Sequence, residues 1–191
     1  MCGGRGTRLS LAGEKPLVEI GGRAMVDRVL EALAGSRVER AYAVVSPNAP
    51  ETRAHLEGRV PTIETPGSGY VEDLDRALER VDRPALTVTA DLPLLGADAV
   101  DRVLDRYEEG STTVCVPAAL KRELGVSVDT AFADDGRELA PTGVNVVGDG
   151  EDGVDVDDDV RLAVNVNRAR DAWIAERIAS LGANGTNPWG V

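Results

Sequence analysis

Lysine, histidine and aromatic side chains are scarce in this chain. Its 191 residues include two lysines, Lys15 and Lys121, one histidine, His55, and two tryptophans, three tyrosines and one phenylalanine. One histidine excludes a clustered-histidine metal centre. No Ser-His-Asp or Cys-His set can be assembled, so a covalent mechanism is not expected. His55 lies in a charge-rich stretch and is expected on the surface. The two cysteines, Cys2 and Cys115, are far apart and too few for a thiolate metal site; they read as small free thiols. No apolar run is long enough to cross a bilayer, and the chain reads without a secretory leader, so a soluble cytoplasmic protein is expected. Bases are outnumbered, 21 against 33 acids, for a net charge of −12. That balance argues against a broad nucleic-acid surface, which needs clustered Lys and Arg.

What remains is a core-forming composition. Hydrophobic residues make up 42%, enough for one medium domain, placed at residues 1–181, with a loose tail at 182–191. The acid runs Asp134-Asp135 and Glu151 to Asp159 lack the ligand spacing of a calcium loop and read as solvated surface. Acid-rich, lysine-poor composition resembles that of salt-adapted proteins. Against it Lys15 stands out: a lysine kept where arginine is otherwise used suggests a need for a point charge.

Strand and helix patterns alternate. Helices are expected over Met25 to Leu33, Glu51 to Glu57, Tyr70 to Arg80, Ala97 to Tyr107 and Arg168 to Ser180, with Trp173 in the core of the last. Strands are expected over Ala41 to Val45, Pro61 to Thr65, Ala85 to Thr89, Thr112 to Pro117, Thr142 to Val147 and Val160 to Asn165. Gly148 to Asp159 reads as an exposed excursion. Trp189 is either a frayed end or a clamp. Strands separated by helices imply crossovers and a mostly parallel sheet, with ligands beyond the strands' carboxyl ends. Three motifs follow strands in that way: Ser46-Pro47-Asn48, Thr65 to Tyr70, and Asp91-Leu92-Pro93.

The chain opens on Cys2-Gly3-Gly4-Arg5-Gly6-Thr7-Arg8. Three glycines in four positions allow close backbone approach and an inward-pointing nest of N–H groups. Arg5, Arg8 and Lys15 add full charges for phosphate oxygens. A flexible start or plain turn is the competing reading. A glycine-rich loop of this kind is expected to follow a strand of about five residues; the expectation is that such a strand precedes Met1. Asp91, at a strand end, suits Mg²⁺, or else caps the next helix. In Asn165-Val166-Asn167 both amides face one side of an extended segment, as metal-shell ligands or as turn chemistry with Asn167 capping the last helix. Thr65-Pro66-Gly67-Ser68-Gly69-Tyr70 offers backbone groups to the edge of a base, or is a plain turn; Ser46 or Asn48 caps the helix that follows them. Gly143 and Asn145 face a second substrate, or start a strand with a buried amide.

The opening loop with Lys15-Pro16-Leu17 resembles the signature of nucleotidyltransferases that include the molybdenum cofactor guanylyltransferases. Within that superfamily, Ser46 to Pro50, Gly69 to Leu74, Pro141 to Val147 and Asn165-Val166-Asn167 resemble the archaeal-type GTP:adenosylcobinamide-phosphate guanylyltransferases. The resemblance spans residues 1 to 180. It implies a three-layer α/β/α sandwich of the nucleotide-diphospho-sugar transferase type, its first strand missing from this chain, and GMP transfer onto a phosphate acceptor. Gly3, Gly4, Arg5, Gly6, Thr7, Arg8 and Lys15 would then hold the GTP phosphates. Gly67 to Tyr70, with Gly67, Gly69 and Tyr70 among them, would line the guanine, and Ser46, Asn48, Thr65 and Asp91 would also bind the nucleotide. Asp91 would bind Mg²⁺ with Asn167 or Asn165, and Gly143 and Asn145 would meet the acceptor, adenosylcobinamide phosphate. Arg8, Lys15 and Asp91 would carry catalysis. Another acceptor, such as the molybdenum cofactor or phospholactate, or a non-catalytic guanine-nucleotide regulator, stays open. Asp91 sits in Ala-Asp-Leu-Pro, where relatives often have Gly-Asp or Ser-Asp.

Overall fold

A computed structural model of the protein describes residues 1–2 and 13–183, the last two by backbone only. Residues 3–12, which hold the glycine-rich loop, and 184–191, which hold Trp189, lie outside the described residues. A 3-10 turn at Lys15–Leu17, with Pro16 at its start, leads into a tight hairpin of β1 (Glu19–Ile20) and β2 (Arg23–Ala24). The alternating part follows: α1 (Met25–Gly35), β3 (Ala43–Val45), α2 (Pro50–Leu56), β4 (Thr62–Glu64), α3 (Tyr70–Leu78), β5 (Ala85–Val88), α4 (Ala97–Arg106) and β6 (Ser111–Pro117). Then come α5 (Ala118–Leu124), β7 (Phe132–Asp134), β8 (Arg137–Val147), β9 (Asp152–Val156) and α6 (Ala169–Ala183). Helix α6 runs past Gly182, where the tail was expected to start.

Layering follows from which side chains alternate strand residues bury. On β3, Val44 packs with Ile63 of β4 and Ala77 of α3. Its neighbours Ala43 and Val45 pack on the other face with Val26 of α1 and Leu56 of α2. Helices therefore cover both faces, and the chain is an α/β sandwich. The main core joins Val29 and Ala32 of α1 and Val100 and Val103 of α4 to Val88, Val114, Val116, Val144 and Val146 of the sheet.

The sheet is not mostly parallel, as expected, but mixed. Strands β3 and β4 pair in parallel, as do β6 and β9. Between β5 and β6 the long β8 runs antiparallel to both, with β7 pairing on β8. The reversal is made by the β7–β8 hairpin, where Asp134 pairs with Arg137. Its two-residue Asp135-Gly136 loop has φ of 43° and 73°, the left-handed pair that a right-twisted hairpin needs. An Asp-Gly turn read only as part of an acid run thus changes the sheet's direction.

Three further expectations change. Val160 to Asn165 is no strand but a turn, Leu162 and Ala163 donating to Asp159 and Val160, followed by a buried run from Leu162 to Asn165. The 148–159 excursion contains β9, and its acids are more than solvated surface. Asp155 and Asp157 accept from Arg106, and Asp159 from Arg102 and Arg161. Trp173 is 60% exposed rather than core, with the Arg177 guanidinium 4.9 Å from its ring centre. His55 is part-buried on α2 and bonds Asp27 of α1. Cys2 and Cys115 are both free and buried.

A cleft separates β3 from β5. Met1 and Cys2 cross its upper end in parallel-strand fashion. The Met1 amino group donates to Val88 O at 2.8 Å, Ala90 N donates to Met1 O at 3.2 Å, and Cys2 N donates to Val44 O at 2.9 Å. Consecutive residues thus bond to opposite neighbours, as in an interior strand. Below them lies a cavity of about 730 Å³ whose apolar lining includes Val29, Leu33, Val44, Leu86, Val88 and Leu104.

Candidate functional site

Asp91 sits three residues past the end of β5, where the chain leaves the sheet. Its carboxylate is nearly surrounded. Lys15 Nζ donates to Oδ2 at 2.6 Å, Thr89 Oγ1 to Oδ1 at 2.7 Å, and Asn165 Nδ2 to Oδ1 at 3.3 Å. Burial alone would raise its pKa; the Lys15 charge and the three donors outweigh burial and hold it below the ordinary aspartate range. Lys15 Nζ also donates to Asn167 Oδ1 at 2.6 Å. One ammonium is therefore gripped by a carboxylate oxygen and an amide oxygen from distant parts of the chain.

Lys15 is placed by its neighbours. Glu14 accepts from Glu51 N at 2.8 Å and Thr52 N at 2.7 Å, so a carboxylate from outside α2 occupies that helix's N-terminal donors. Ser46 and Asn48 do not cap it. Asn48 Nδ2 instead donates to Gly67 O at 2.9 Å and ties the loop after β3 to the loop after β4. Gly67 has φ of 76°, and a Cβ there would lie 2.5 Å from Asn48 Nδ2, so both the turn and the close approach require glycine. Asp73, buried on α3, accepts from Gly67 N at 2.8 Å and fixes the loop from the other side. Thr65 turns inward, its hydroxyl on Val45 O.

These loops border a cleft of about 530 Å³ that includes Lys15, Asn48, Gly67, Gly69, Tyr70 and Asp91. Ser46 and Thr65 are buried behind it. Gly143 and Asn145 stand on β8 beside β5, not among the cleft's lining. Gly143, at φ of 85°, makes room for a side chain of the protein itself: a Cβ there would lie 2.2 Å from Thr89 Oγ1, the hydroxyl that holds Asp91. Asn145 lies opposite Thr87, its amide 3.5 Å from that hydroxyl. Asn165 and Asn167 divide their work. Asn165 is buried, its oxygen taken by Lys121, while Asn167 Oδ1 meets Lys15. Asn167 is not the cap of α6; Asp171 accepts from Asn167 N and Arg168 N. Gly3, Gly4, Arg5, Gly6, Thr7 and Arg8 lie outside the described residues.

Sequence reasoning passed over Glu14, Asp73, Thr89 and Lys121. Thr89 stands two residues before Asp91, where the chain turns out of β5, and reaches its carboxylate from there. The others reach the site through tertiary packing.

Asp91 Oδ2 and Asn167 Oδ1 already share one cation, Lys15. A pair of hard oxygens around a single positive charge fits Mg²⁺, which takes one or two protein oxygens and completes its shell with water and phosphate. Among the described residues no group of three or more His, Cys, Asp or Glu forms a cage, so phosphate oxygens would have to supply the rest.

The site is thus a buried carboxylate past a strand end, bordered by two backbone loops, in an α/β fold shared with nucleotidyltransferases. The chain belongs to the MobA-like NTP transferase domain family, which it matches over residues 1–153. It is 29% identical to the adenosylcobinamide-phosphate guanylyltransferase of Methanocaldococcus jannaschii, over 93% of this chain and 94% of that protein. It is 28% identical to the bifunctional protein GlmU of Kineococcus radiotolerans, over 63% of this chain but 26% of that protein. Among solved structures it resembles a hypothetical transferase from Thermus thermophilus, with a TM-score of 0.57 and 27% identity, over 78% of this chain and 63% of that one. A putative glucose-1-phosphate thymidylyltransferase from Bacillus anthracis shares the fold, with a TM-score of 0.65 at 12% identity, over 93% of this chain and 92% of that one. No helix among the described residues is long and apolar enough to cross a membrane.

Proposed function

We propose that this chain transfers GMP from GTP to the phosphate of adenosylcobinamide phosphate, giving adenosylcobinamide-GDP and pyrophosphate in cobalamin biosynthesis. The observation that carries the reading is the Lys15–Asp91–Asn167 set, at 2.6 Å on each side of one ammonium, in a chain 29% identical to an enzyme of that name along almost its whole length. The acceptor's phosphate oxygen attacks the α-phosphorus of GTP. A P–O bond forms there, the bond to the β-phosphate oxygen breaks, and the electron pair leaves with pyrophosphate. The acceptor is already an anion, so no strong base is needed, in keeping with a site without histidine.

Lys15 would neutralise charge on the α-phosphate and leaving group, with Arg8 and the loop of Gly3 to Thr7 around the phosphates. Gly67, Gly69 and Tyr70, with Asn48 bracing the loop, would receive the guanine. Asp91 and Asn167 would hold Mg²⁺, which would supply Lewis-acid polarisation of the phosphates. Asn165 is set aside as a ligand, because Lys121 occupies its oxygen. Gly143 and Asn145 would act on the acceptor side only indirectly, through Thr89 and Thr87. A net charge of −12 supports work in the cytoplasm of a cell at high salt.

Pyrophosphate release is measured with GTP, Mg²⁺ and a panel of acceptors: adenosylcobinamide phosphate, the molybdenum cofactor and phospholactate. Release with the first and formation of its GDP ester are expected. Turnover with another acceptor alone would reassign the substrate. GTP binding without pyrophosphate from any acceptor would leave a regulator.

A further inference from the structure

The chain has only two lysines, and each bonds a group at the Asp91 site: Lys15 the carboxylate itself, Lys121 the Asn165 amide that donates to it. Lys15 bonds Oδ2 directly. Lys121, on α5, is 4% exposed and lies deeper. Its ammonium donates to Ala163 O and Asn165 Oδ1, each at 2.8 Å. No salt bridge among the described residues includes it, so a buried positive charge rests on neutral oxygens alone. Burial lowers its pKa, against a pull upward from Asp91, Asp171 and Asp129. An ammonium so placed costs stability, and packing alone would favour an apolar side chain there.

What the ammonium does is settle an amide. Lys121 can only donate, so the oxygen of Asn165 must face it. Thr142 O can only accept, and Asn165 Nδ2 donates to it at 2.7 Å. Between a pure donor and a pure acceptor the amide cannot flip. Its second N–H is thereby aimed at Asp91 Oδ1. Thr89 and Asn165 then hold Oδ1, and Oδ2 is left for the cation. Without Lys121 the Asn165 oxygen would be buried and unpaired, and the amide would be held from its nitrogen side alone, by Thr142 O and Asp91 Oδ1.

We infer that Lys121 is a positioning residue of the transferase site: acting through Asn165, it fixes which oxygen of Asp91 is presented to the reacting phosphates. This rests on the function proposed above and adds to it a residue that touches neither substrate nor Asp91.

The test compares Lys121→Met, Lys121→Gln and Asn165→Leu with the wild-type chain. Lys121→Met is expected to lower kcat by about 10- to 100-fold, the usual size of an outer-shell loss, with KM for GTP within twofold. Lys121→Gln keeps a donor and is expected to recover part of that loss. In the Asn165→Leu background, itself slow, Lys121→Met should cost nothing more in kcat. Independently of activity, the Asn165 side-chain amide should give one slowly exchanging pair of NMR signals in the wild type, and fast exchange or doubled signals in Lys121→Met. Should Lys121→Met fail to fold, Lys121→Gln and Asn165→Leu carry the comparison. A folded Lys121 variant with wild-type kcat, a fully active Asn165→Leu, or an unchanged Asn165 amide in Lys121→Met or Lys121→Gln would overturn the inference. A wild-type chain inactive with every acceptor would refute the function instead, and the amide signals would still judge the positioning.

Discussion

At the scale of single residues, the site is a competition between burial and pairing. Asp91 would be protonated more readily if buried alone; Lys15, Thr89 and Asn165 keep it ionised. Lys15→Ala and Asp91→Ala are each expected to lower kcat by about 10²–10³, the loss typical of one charge-stabilising group, while circular dichroism stays that of the folded chain. Wild-type turnover in either variant would remove that residue from the mechanism. Gly143→Ala should fail for two reasons at once: a φ of 85° and a Cβ 2.2 Å from Thr89 Oγ1. We expect it to lose about 1–3 kcal/mol of stability, measured by urea unfolding, and to lower kcat through the displaced threonine. An alanine variant as stable as wild type would mean that Thr89 has room to move. The sequence showed Asp91 and Lys15 because each has a local mark, a strand end and an isolated lysine. It did not show that Gly143 serves Thr89 rather than a substrate, because that contact joins residues 54 positions apart.

Among the elements, those with a clean period were legible. The apolar face of α1 reads from Met25, Val26, Val29, Leu30 and Leu33; the first three are buried, along with Ala32, and the two leucines pack partly buried against the cores. The hairpin β1–β2, α5 and β9 were not. Strand β9, Asp-Gly-Val-Asp-Val, carries too few apolar residues to mark a strand. Its pairing with β6 comes from backbone bonds, and its Asp155 is matched by Arg106 of α4, which no local window contains. The cleft between β3 and β5 is a second tertiary feature. Met1 and Cys2 satisfy backbone groups at its end, and Leu86 and Val88 of β5 are among the apolar lining of the cavity below. Extending Met1 at its amino end by four alternating apolar residues should continue that strand, and raise Tm by about 4 °C or more. The same extension with a central proline, which removes a donor, should not. An unchanged Tm with the first extension would show that the cleft does not accept a strand.

Across the whole molecule, charge dominates the response to solvent. Asp98 is lowered to about 2 by its bonds from Arg161, and Asp159 is also lowered: burial pushes it up, and Arg161 and Arg102 more than compensate. A carboxylate with a depressed folded-state pKa contributes stability above its unfolded value and loses it as pH falls through the folded one. Tm is therefore expected to hold above pH 3.8 and fall as pH drops from there to about 2, the window set by Asp98. Asp98→Asn should flatten that fall in thermal melts, and an equally steep fall would assign it to other carboxylates. Salt should act in the opposite sense to a chain held by exposed ion pairs. Screening relieves repulsion among an excess of 12 negative charges, whereas the arginine pairs to Asp157 and Asp159 are sheltered, with those side chains 7% and 11% exposed. Tm should rise with KCl, and a fall would show that the pairs outweigh the net charge.

The sequence by itself determined the α/β class, the strand-end positions of Asn48, Gly67 and Asp91, and the isolation of Lys15. These depend on periodicity, turn chemistry and counts, which act over a few residues. Tertiary structure alone decided the sheet's mixed direction, the separate tasks of Asn165 and Asn167, and the placing of one lysine on Asp91 and the other on the amide that supports it. An amide's orientation is set by which donors and acceptors surround it, and here Lys121, Thr142 and Asp91 arrive from three distant stretches of the chain.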